Sequence, residues 1–510
     1  MELLTSEERA FLDSISQLAY SNPFLPERTG LERAALGSAH VEREPIWSFS
    51  VTHPDRPREN VWRIAKKLEP LTEELRARFL SGRDAGDGDL VLYEDAAIHL
   101  LYQRYYSKFL QAGTSPSAGG RWSFYKNFLA DWRHFFSLEG VRLPTGHEPR
   151  HTFSCFRQIQ RAFEQIYRAI IGGSMPAARL RAAIWQSIFT CDMRRYRRTL
   201  YERMGEFATL ITGPSGTGKE LAASAIAHSR YVAFDEQTLT FPGDDTVGLY
   251  AINISALSPS LVESELFGHR RGAFTGAVRD RKGWLETCPA LGSVFLDELG
   301  DLDPAIQVKL LRVIETRSFH LVGDTAAVPF RGKLIAATNR DLGADIRSGR
   351  FREDLYYRLC SDLITTPSLA EQIADSPEVL VELVTHMALR IAGAEADGVA
   401  QDALAWIGRN LASDYPWPGN YRELDQCVRN VLIRRDYRPS SPPQAGDGFE
   451  EDFRAGRLTA QQLLAQYCTR VYAQTGSYEE TARRLGLDRR TVRANVNRDL
   501  LDRLRPAQNH

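Results

Sequence analysis

The sequence predicts an α/β core, a parallel sheet covered by helices and closed by a helical lid, preceded by a mostly helical N-terminal domain and followed by a C-terminal helix-turn-helix. Three observations carry this. Apolar strand-like runs at 207–212, 249–254, 293–297 and 333–338 alternate with helical patterns, which is the text of a parallel sheet. Between 377 and 436 the pattern becomes purely helical, with Leu380, Leu383, Val384, Met387 and Ile391 on one face. Segment 1–168 is rich in aromatics, among them Trp47, Trp62, Tyr105, Trp122, Tyr125 and Phe136, with helical spacing over 95–111 and 122–136.

A chain of 510 residues is too long for one hydrophobic core, so several domains are expected. The boundaries fall at 1–168 for the N-terminal domain, 169–370 for the α/β part, 371–436 for the lid, 437–457 for a linker and 458–510 for the last module. The linker reading rests on the Pro, Ser and Gly content of Arg438-Pro-Ser-Ser-Pro-Pro-Gln-Ala-Gly-Asp-Gly448. A formal net charge of -1 excludes a globally basic nucleic-acid coat protein, so DNA contact must come from a local patch. From Thr459 onward, nine arginines against five acids supply one. The six cysteines are scattered singly, without CxxC pairs, and read as thiols of a reducing compartment. No apolar run approaches the roughly 18 residues that span a bilayer, and residues 1–9 do not read as the start of a signal peptide. A cytoplasmic location without membrane contact is the expectation.

Gly213-Pro214-Ser215-Gly216-Thr217-Gly218-Lys219 follows an apolar strand and opens a helix, the context a phosphate-binding loop requires. Its glycines let backbone N–H groups curl around phosphates, and Lys219 adds a point charge. Glu220 stands where a Ser or Thr hydroxyl normally ligates magnesium, so Mg²⁺ must lean on water and on other acids. Asp297 and Glu298 end the run Ser293-Val-Phe-Leu. The first would organise Mg²⁺ and the second polarise the attacking water, making ATP hydrolysis the expected chemistry.

With these motifs in order, 171–435 resembles the AAA+ module of sigma-54-dependent activators, the bacterial enhancer-binding proteins. The most specific element is Glu263-Ser-Glu-Leu-Phe-Gly-His-Arg-Arg-Gly272-Ala273-Phe274-Thr275-Gly276-Ala277, whose last six residues are the family's sigma-contacting loop unaltered. Two glycines and small alanines permit a tight hairpin with Phe274 and Thr275 at its tip. The resemblance further implies that Asn253 is the switch asparagine coupling Glu298 to the loop. It makes Thr338 and Asn339 the first sensor, Arg352 and Arg358 the fingers reaching a neighbour's nucleotide, and Arg422 the second sensor, on the lid. A finger acting in trans implies a ring, a hexamer by resemblance. Three stretches depart from the family: the basic join Met193-Arg-Arg-Tyr-Arg-Arg198, an insertion at 231–247, and Pro367-Ser-Leu-Ala-Glu-Gln-Ile373.

Residues 477–498 read as two helices about a turn at Leu485-Gly-Leu-Asp488, similar to the factor-for-inversion-stimulation type of helix-turn-helix. Arg489, Arg490, Thr491 and Arg493 would face the major groove or phosphates of double-stranded DNA. The expectation is an ATP-driven activator that binds upstream DNA and remodels the sigma-54 RNA polymerase holoenzyme from closed to open complex. The rival is an AAA+ chaperone whose terminal helices only mediate assembly. Salt-dependent, sequence-specific DNA binding separates them.

Overall fold

In the computed structural model of the chain, residues 3–42, 59–83, 85–114, 120–144, 146, 148–439, 453, 456–498 and 500–501 are described. Trp47 and most of the expected linker lie outside them. The chain divides into two compact units, Met1–Asp436 and Tyr437–His510.

Strands of the first unit are, in chain order, β1 (Thr209–Thr212), β2 (Leu249–Asn253), β3 (Gly268–His269), β4 (Arg281–Lys282), β5 (Ser293–Asp297), β6 (Ser318–His320), β7 (Ala327–Pro329), β8 (Lys333–Thr338) and β9 (Asp362–Thr365). Five of them form one sheet in the order β2-β5-β8-β1-β9, parallel throughout. This is the parallel α/β core the sequence predicts. β5 and β8 coincide with the predicted runs, because central strands covered on both faces read as continuous apolar text. Alternate residues serve two cores. Ile211, Phe295, Ile335 and Ala337 pack on helices Met175–Phe189 and Lys219–Ala227, while Leu210, Leu296, Leu334 and Ala336 face helices Pro259–Phe267, Pro304–Thr316 and Glu353–Leu359. β3 with β4, and β6 with β7, are small antiparallel hairpins. The lid consists of helices Glu378–Ala392, Ala396–Asn410 and Asn420–Arg434.

The N-terminal segment is helical: Ser6–Tyr20, Glu27–Leu36, Glu59–Leu80, Asp87–Thr114, Tyr125–Phe136 and Pro149–Ala169. Phe109, Phe128, Phe135 and Phe153 are fully buried in its core, whereas Trp62 is 62% exposed. This core extends into the α/β part. Val232, Phe234, Phe241 and Val247, all from the unexpected insertion, complete it, and Phe234 lies 4.6 Å from Tyr125 and 4.7 Å from Phe153, centroid to centroid. Polar contacts fix the register: the Tyr125 hydroxyl donates to Glu236, Arg161 pairs with Asp244, and Gln158 donates to the Ser229 carbonyl at 2.9 Å. The basic join docks there too, Arg194 pairing with Asp95. Two of the three departures, the insertion and the basic join, thus fuse the helical segment to the α/β core.

In the second unit, helices Ala460–Thr475, Tyr478–Leu485 and Arg489–Asn495 pack together. Gly486 takes φ 64° at the turn, and Ala482 and Val492 are buried between helices as the sequence implies.

Candidate functional site

The loop after β1 is built on backbone freedom. Gly213, Gly216 and Gly218 have φ of 143°, 78° and 86°, a region that favours glycine. At two of them there is also no room: a Cβ on Gly213 would sit 2.2 Å from the Thr366 hydroxyl, and one on Gly216 2.3 Å from the Gly419 carbonyl. The loop is therefore clamped between β9's exit and the lid. The lid side is explicit, since Tyr421 N–H donates to the Gly216 carbonyl at 3.1 Å, Asn420 Nδ2 to the Ser215 carbonyl at 2.9 Å, and Arg422 Nη1 to the Ser215 hydroxyl at 3.2 Å.

Beside the loop lies a cleft of about 400 Å³ lined by the loop residues Ser215 to Leu221, by Asp297 and Glu298, by Ile170 and Ile171 with Leu383 and Met387, and by the lid's Arg390 and Arg422. Lys219 Nζ folds back onto the carbonyls of Gly213 and Pro214 at 3.0 and 3.1 Å. Burial holds its pKa below the usual lysine value, against the opposing pull of Glu298 and Asp297. An apolar end, cationic groups at the loop and two carboxylates opposite fit a nucleotide with its phosphates near Lys219 and Arg422. No group of three or more metal-ligating side chains occurs among the described residues. One or two carboxylates plus phosphate oxygens is nevertheless the donor set Mg²⁺ takes, and Asp297 with Glu298 fits it.

Glu298 itself is held at φ 55°, a left-handed conformation uncommon for its residue type, which turns the chain sharply at the end of β5. Its carboxylate accepts from Asn339 N–H at 3.4 Å, and Asp297 accepts from Glu298 N–H at 3.0 Å. Thr338 is fully buried, its hydroxyl accepting from Arg340 N–H. The structure thus brings Asp297, Glu298, Thr338 and Asn339 together. Asn253 pairs in register with Asp297 on β2, but its carboxamide oxygen accepts from Ser255 at 2.8 Å rather than engaging Glu298. Arg352 and Arg358 stand outside the cleft, exposed, in ion pairs with Asp354 and Glu315 at 2.7 and 3.2 Å.

From Asn253 the chain leads through one helix, Pro259–Phe267, into the β3–β4 hairpin that carries residues 272–277. Gly272 N–H closes the loop on the Ala277 carbonyl at 2.8 Å. Phe274 is 46% exposed, its ring edge-on to His269 at 4.9 Å, while Ala277 is buried. A second loop braces the first: Arg270 pairs with Asp280 at 2.9 Å within the hairpin and with Asp324 at 2.8 Å from the β6–β7 connection. Phe274 and Thr275 do project from a tight hairpin.

A family model described as the Sigma-54 interaction domain matches residues 191–365. That stretch is a sigma-54 interaction domain. The chain is similar to the transcriptional regulatory protein ZraR of Escherichia coli, 36% identical over 304 residues, 58% of this chain and 64% of that protein. It is also similar to the Nif-specific regulatory protein of Azotobacter vinelandii, 42% identical over 234 residues, 44% of this chain and 40% of that one. The chain therefore spans less than two thirds of the length of these relatives. Among solved structures, NtrX from Brucella abortus aligns with 80% of this chain and 85% of its own at 22% identity and a TM-score of 0.39.

The motif residues of the cleft were legible in the sequence but their supports were not. Arg390 was missed because an arginine in an amphipathic lid helix reads as a solvated face, and Asp345, gripped by Arg340 and Arg350, because an acid between two basic residues reads as surface patterning. In the second unit, Arg489 pairs with Glu479 at 3.0 Å, and Asp488 caps the helix by accepting from the Thr491 N–H and hydroxyl. Arg490 and Arg493 are exposed.

Proposed function

We propose that the chain is an ATP-hydrolysing transcription activator that assembles into a ring, holds upstream double-stranded DNA with its C-terminal unit, and remodels the sigma-54 RNA polymerase holoenzyme from closed to open complex. The observation that carries this is the continuity from catalysis to contact: β2, whose end lies against Asp297, runs through a single helix into the hairpin presenting Phe274 and Thr275. A displacement of Asn253 relative to Glu298 is delivered to that tip with only nine helical residues between.

In this reading, the loop N–H groups, Lys219 and Arg422 hold the phosphates, and Asp297 takes Mg²⁺, which supplies charge neutralisation when bound. Glu298, fixed by its turn and by Asn339, polarises water. Arg352 and Arg358 act on a neighbouring subunit's nucleotide, which accounts for their exposure and makes hydrolysis depend on assembly; a finger is worth about three to five orders of magnitude in rate. Ring formation, probed by sedimentation with nucleotide, is expected to end at six subunits.

The test is promoter opening with purified chain, sigma-54 holoenzyme, DNA carrying an upstream site, and ATP. Thr275→Ala should hydrolyse ATP at the wild-type rate and open no promoter. Equal opening by the variant sinks the assignment of the hairpin.

A further inference from the structure

At the opposite end of the strands from the nucleotide cleft, where β5 and β8 begin, three cations are gathered without carboxylate partners among the described residues. Arg230 Nη1 donates to the Gly292 carbonyl at 3.4 Å, Arg317 Nη2 to the Gly332 carbonyl, and Lys333 Nζ to the Phe207 carbonyl at 2.9 Å. Lys333 is 2% exposed. Burial depresses the pKa of all three, Lys333 to about 8, and Arg230 and Arg317 depress Lys333 further by repulsion. Among the described residues none is in ion-pair contact with a carboxylate; Asp362 and Glu206 act on Lys333 and Arg317 only through space. Lys333 is buried and Arg230 and Arg317 are half-buried; cations withdrawn from water are ordinarily paired, because carbonyl hydrogen bonds do not return the lost hydration of a charge.

Arg230 and Arg317 line a cavity of about 660 Å³ whose walls include Tyr201, Tyr231, Phe234 and Phe330. The acids on its wall are committed or peripheral: Asp235 accepts from Gln237 N–H at 2.8 Å, Glu206 pairs with Arg203 at 3.1 Å, and Glu202 is exposed. A second feature points the same way. Arg317 follows a helix at φ 54°, where glycine is the unstrained choice, and its guanidinium lies 4.8 Å over the Phe330 ring. Backbone strain is thus accepted to place a cation at this cavity.

We infer that this cavity is a binding site for a small aromatic oxyanion, a carboxylate or phosphate seated on Arg230 and Arg317 with its ring between the aromatic walls. Guanidinium forks suit either head group. The site sits where the insertion joins the N-terminal helices, so its occupant bears on that junction. The inference does not depend on the proposed activity.

The experiment is calorimetric titration of the full chain with benzoate and, separately, with phenyl phosphate, for wild type and Arg317→Gly. Glycine relieves the left-handed position, so the variant should melt at or above the wild-type temperature. Saturable binding of either probe, weakened about tenfold or more in the variant as expected for loss of a charge-assisted pair, supports the site and names its head group. Absence of saturation with both probes in wild type overturns it, as does equal affinity in the variant, which would place the bound probe elsewhere.

Discussion

Arg340 lays its guanidinium along the Asp345 carboxylate, Nε at 2.8 Å and Nη2 at 2.9 Å, while Arg350 reaches the same carboxylate at 2.7 Å. Arg340 directly follows Thr338-Asn339, the proposed sensor pair, and Arg350 stands two residues before Arg352. One carboxylate, 2% exposed and held ionised by its two guanidinium partners, therefore ties the end of β8 to the segment that carries Arg352, the proposed finger. Asp345→Asn keeps the shape but sets an amide against two cations. Nucleotide affinity should be unchanged and ATP turnover about tenfold lower, with the loss greatest at protein concentrations that favour assembly. Steady-state rates across a protein dilution series, beside equilibrium nucleotide binding, check this; a uniform loss of both would mean Asp345 only stabilises the fold.

Gly216 offers a cleaner break. A Cβ there meets the Gly419 carbonyl at 2.3 Å, a backbone atom that cannot turn aside, and φ of 78° adds strain. Gly216→Ala should push the lid from the loop and disrupt the bonds from Tyr421 and Asn420. Nucleotide affinity is expected to fall at least tenfold, roughly 1.4 kcal/mol, while far-ultraviolet dichroism is unchanged. Wild-type affinity would show that the lid moves freely over the loop.

Much of the fold was legible because its chemistry and its burial coincide. β5 and β8 are buried on both faces and end in the residues that act, so pattern and motif mark the same positions. β9 was not, because an edge strand of four residues with Ile364 alone buried makes no apolar run. β1 begins at Thr209 rather than Phe207, whose ring is exposed and whose carbonyl is taken by Lys333. The insertion at 231–247 was visible as a departure, yet its partners were not, since Tyr125 and Glu236 meet across 111 positions and no local pattern encodes such a pairing.

That pairing alters what truncation means. Removing residues 1–162 strips the cover from Val232, Phe234, Phe241 and Val247, each under 8% exposed in the intact chain. The shortened protein should aggregate rather than report a released or lost activity. Sedimentation of the truncation will show this. A soluble, monodisperse product would mean the insertion refolds onto the core by itself.

His99 gives the helical segment an acid limit. It is buried with Nε2 unpartnered, and burial, helped by Arg28, holds its pKa at about 4 against an ordinary 6.5. Since the folded state resists a proton that the unfolded chain accepts below pH 6.5, stability is full above that value and drains as pH falls toward 4. Between pH 7.5 and 5 the loss from this group is about 2 kcal/mol. Denaturant titrations of wild type and His99→Gln at both pH values should show the extra decline in wild type only.

In the C-terminal unit the structure ranks the four expected DNA contacts. Arg489 is already paired with Glu479, and Thr491 spends its hydroxyl and its N–H on Asp488. Arg490 and Arg493 are exposed, which leaves them available to phosphates or base edges. Replacing a phosphate-contacting arginine lowers the slope of log affinity against log salt by about one, whereas replacing one already committed to an internal ion pair changes it less. Arg490→Ala and Arg493→Ala should each flatten the salt dependence by about that amount, and Arg489→Ala by distinctly less. Binding isotherms on a duplex carrying the upstream site, taken over a range of salt concentrations, measure it. Three equal slopes would show that the Glu479 pair opens on DNA, and three unchanged slopes that this helix does not meet the duplex.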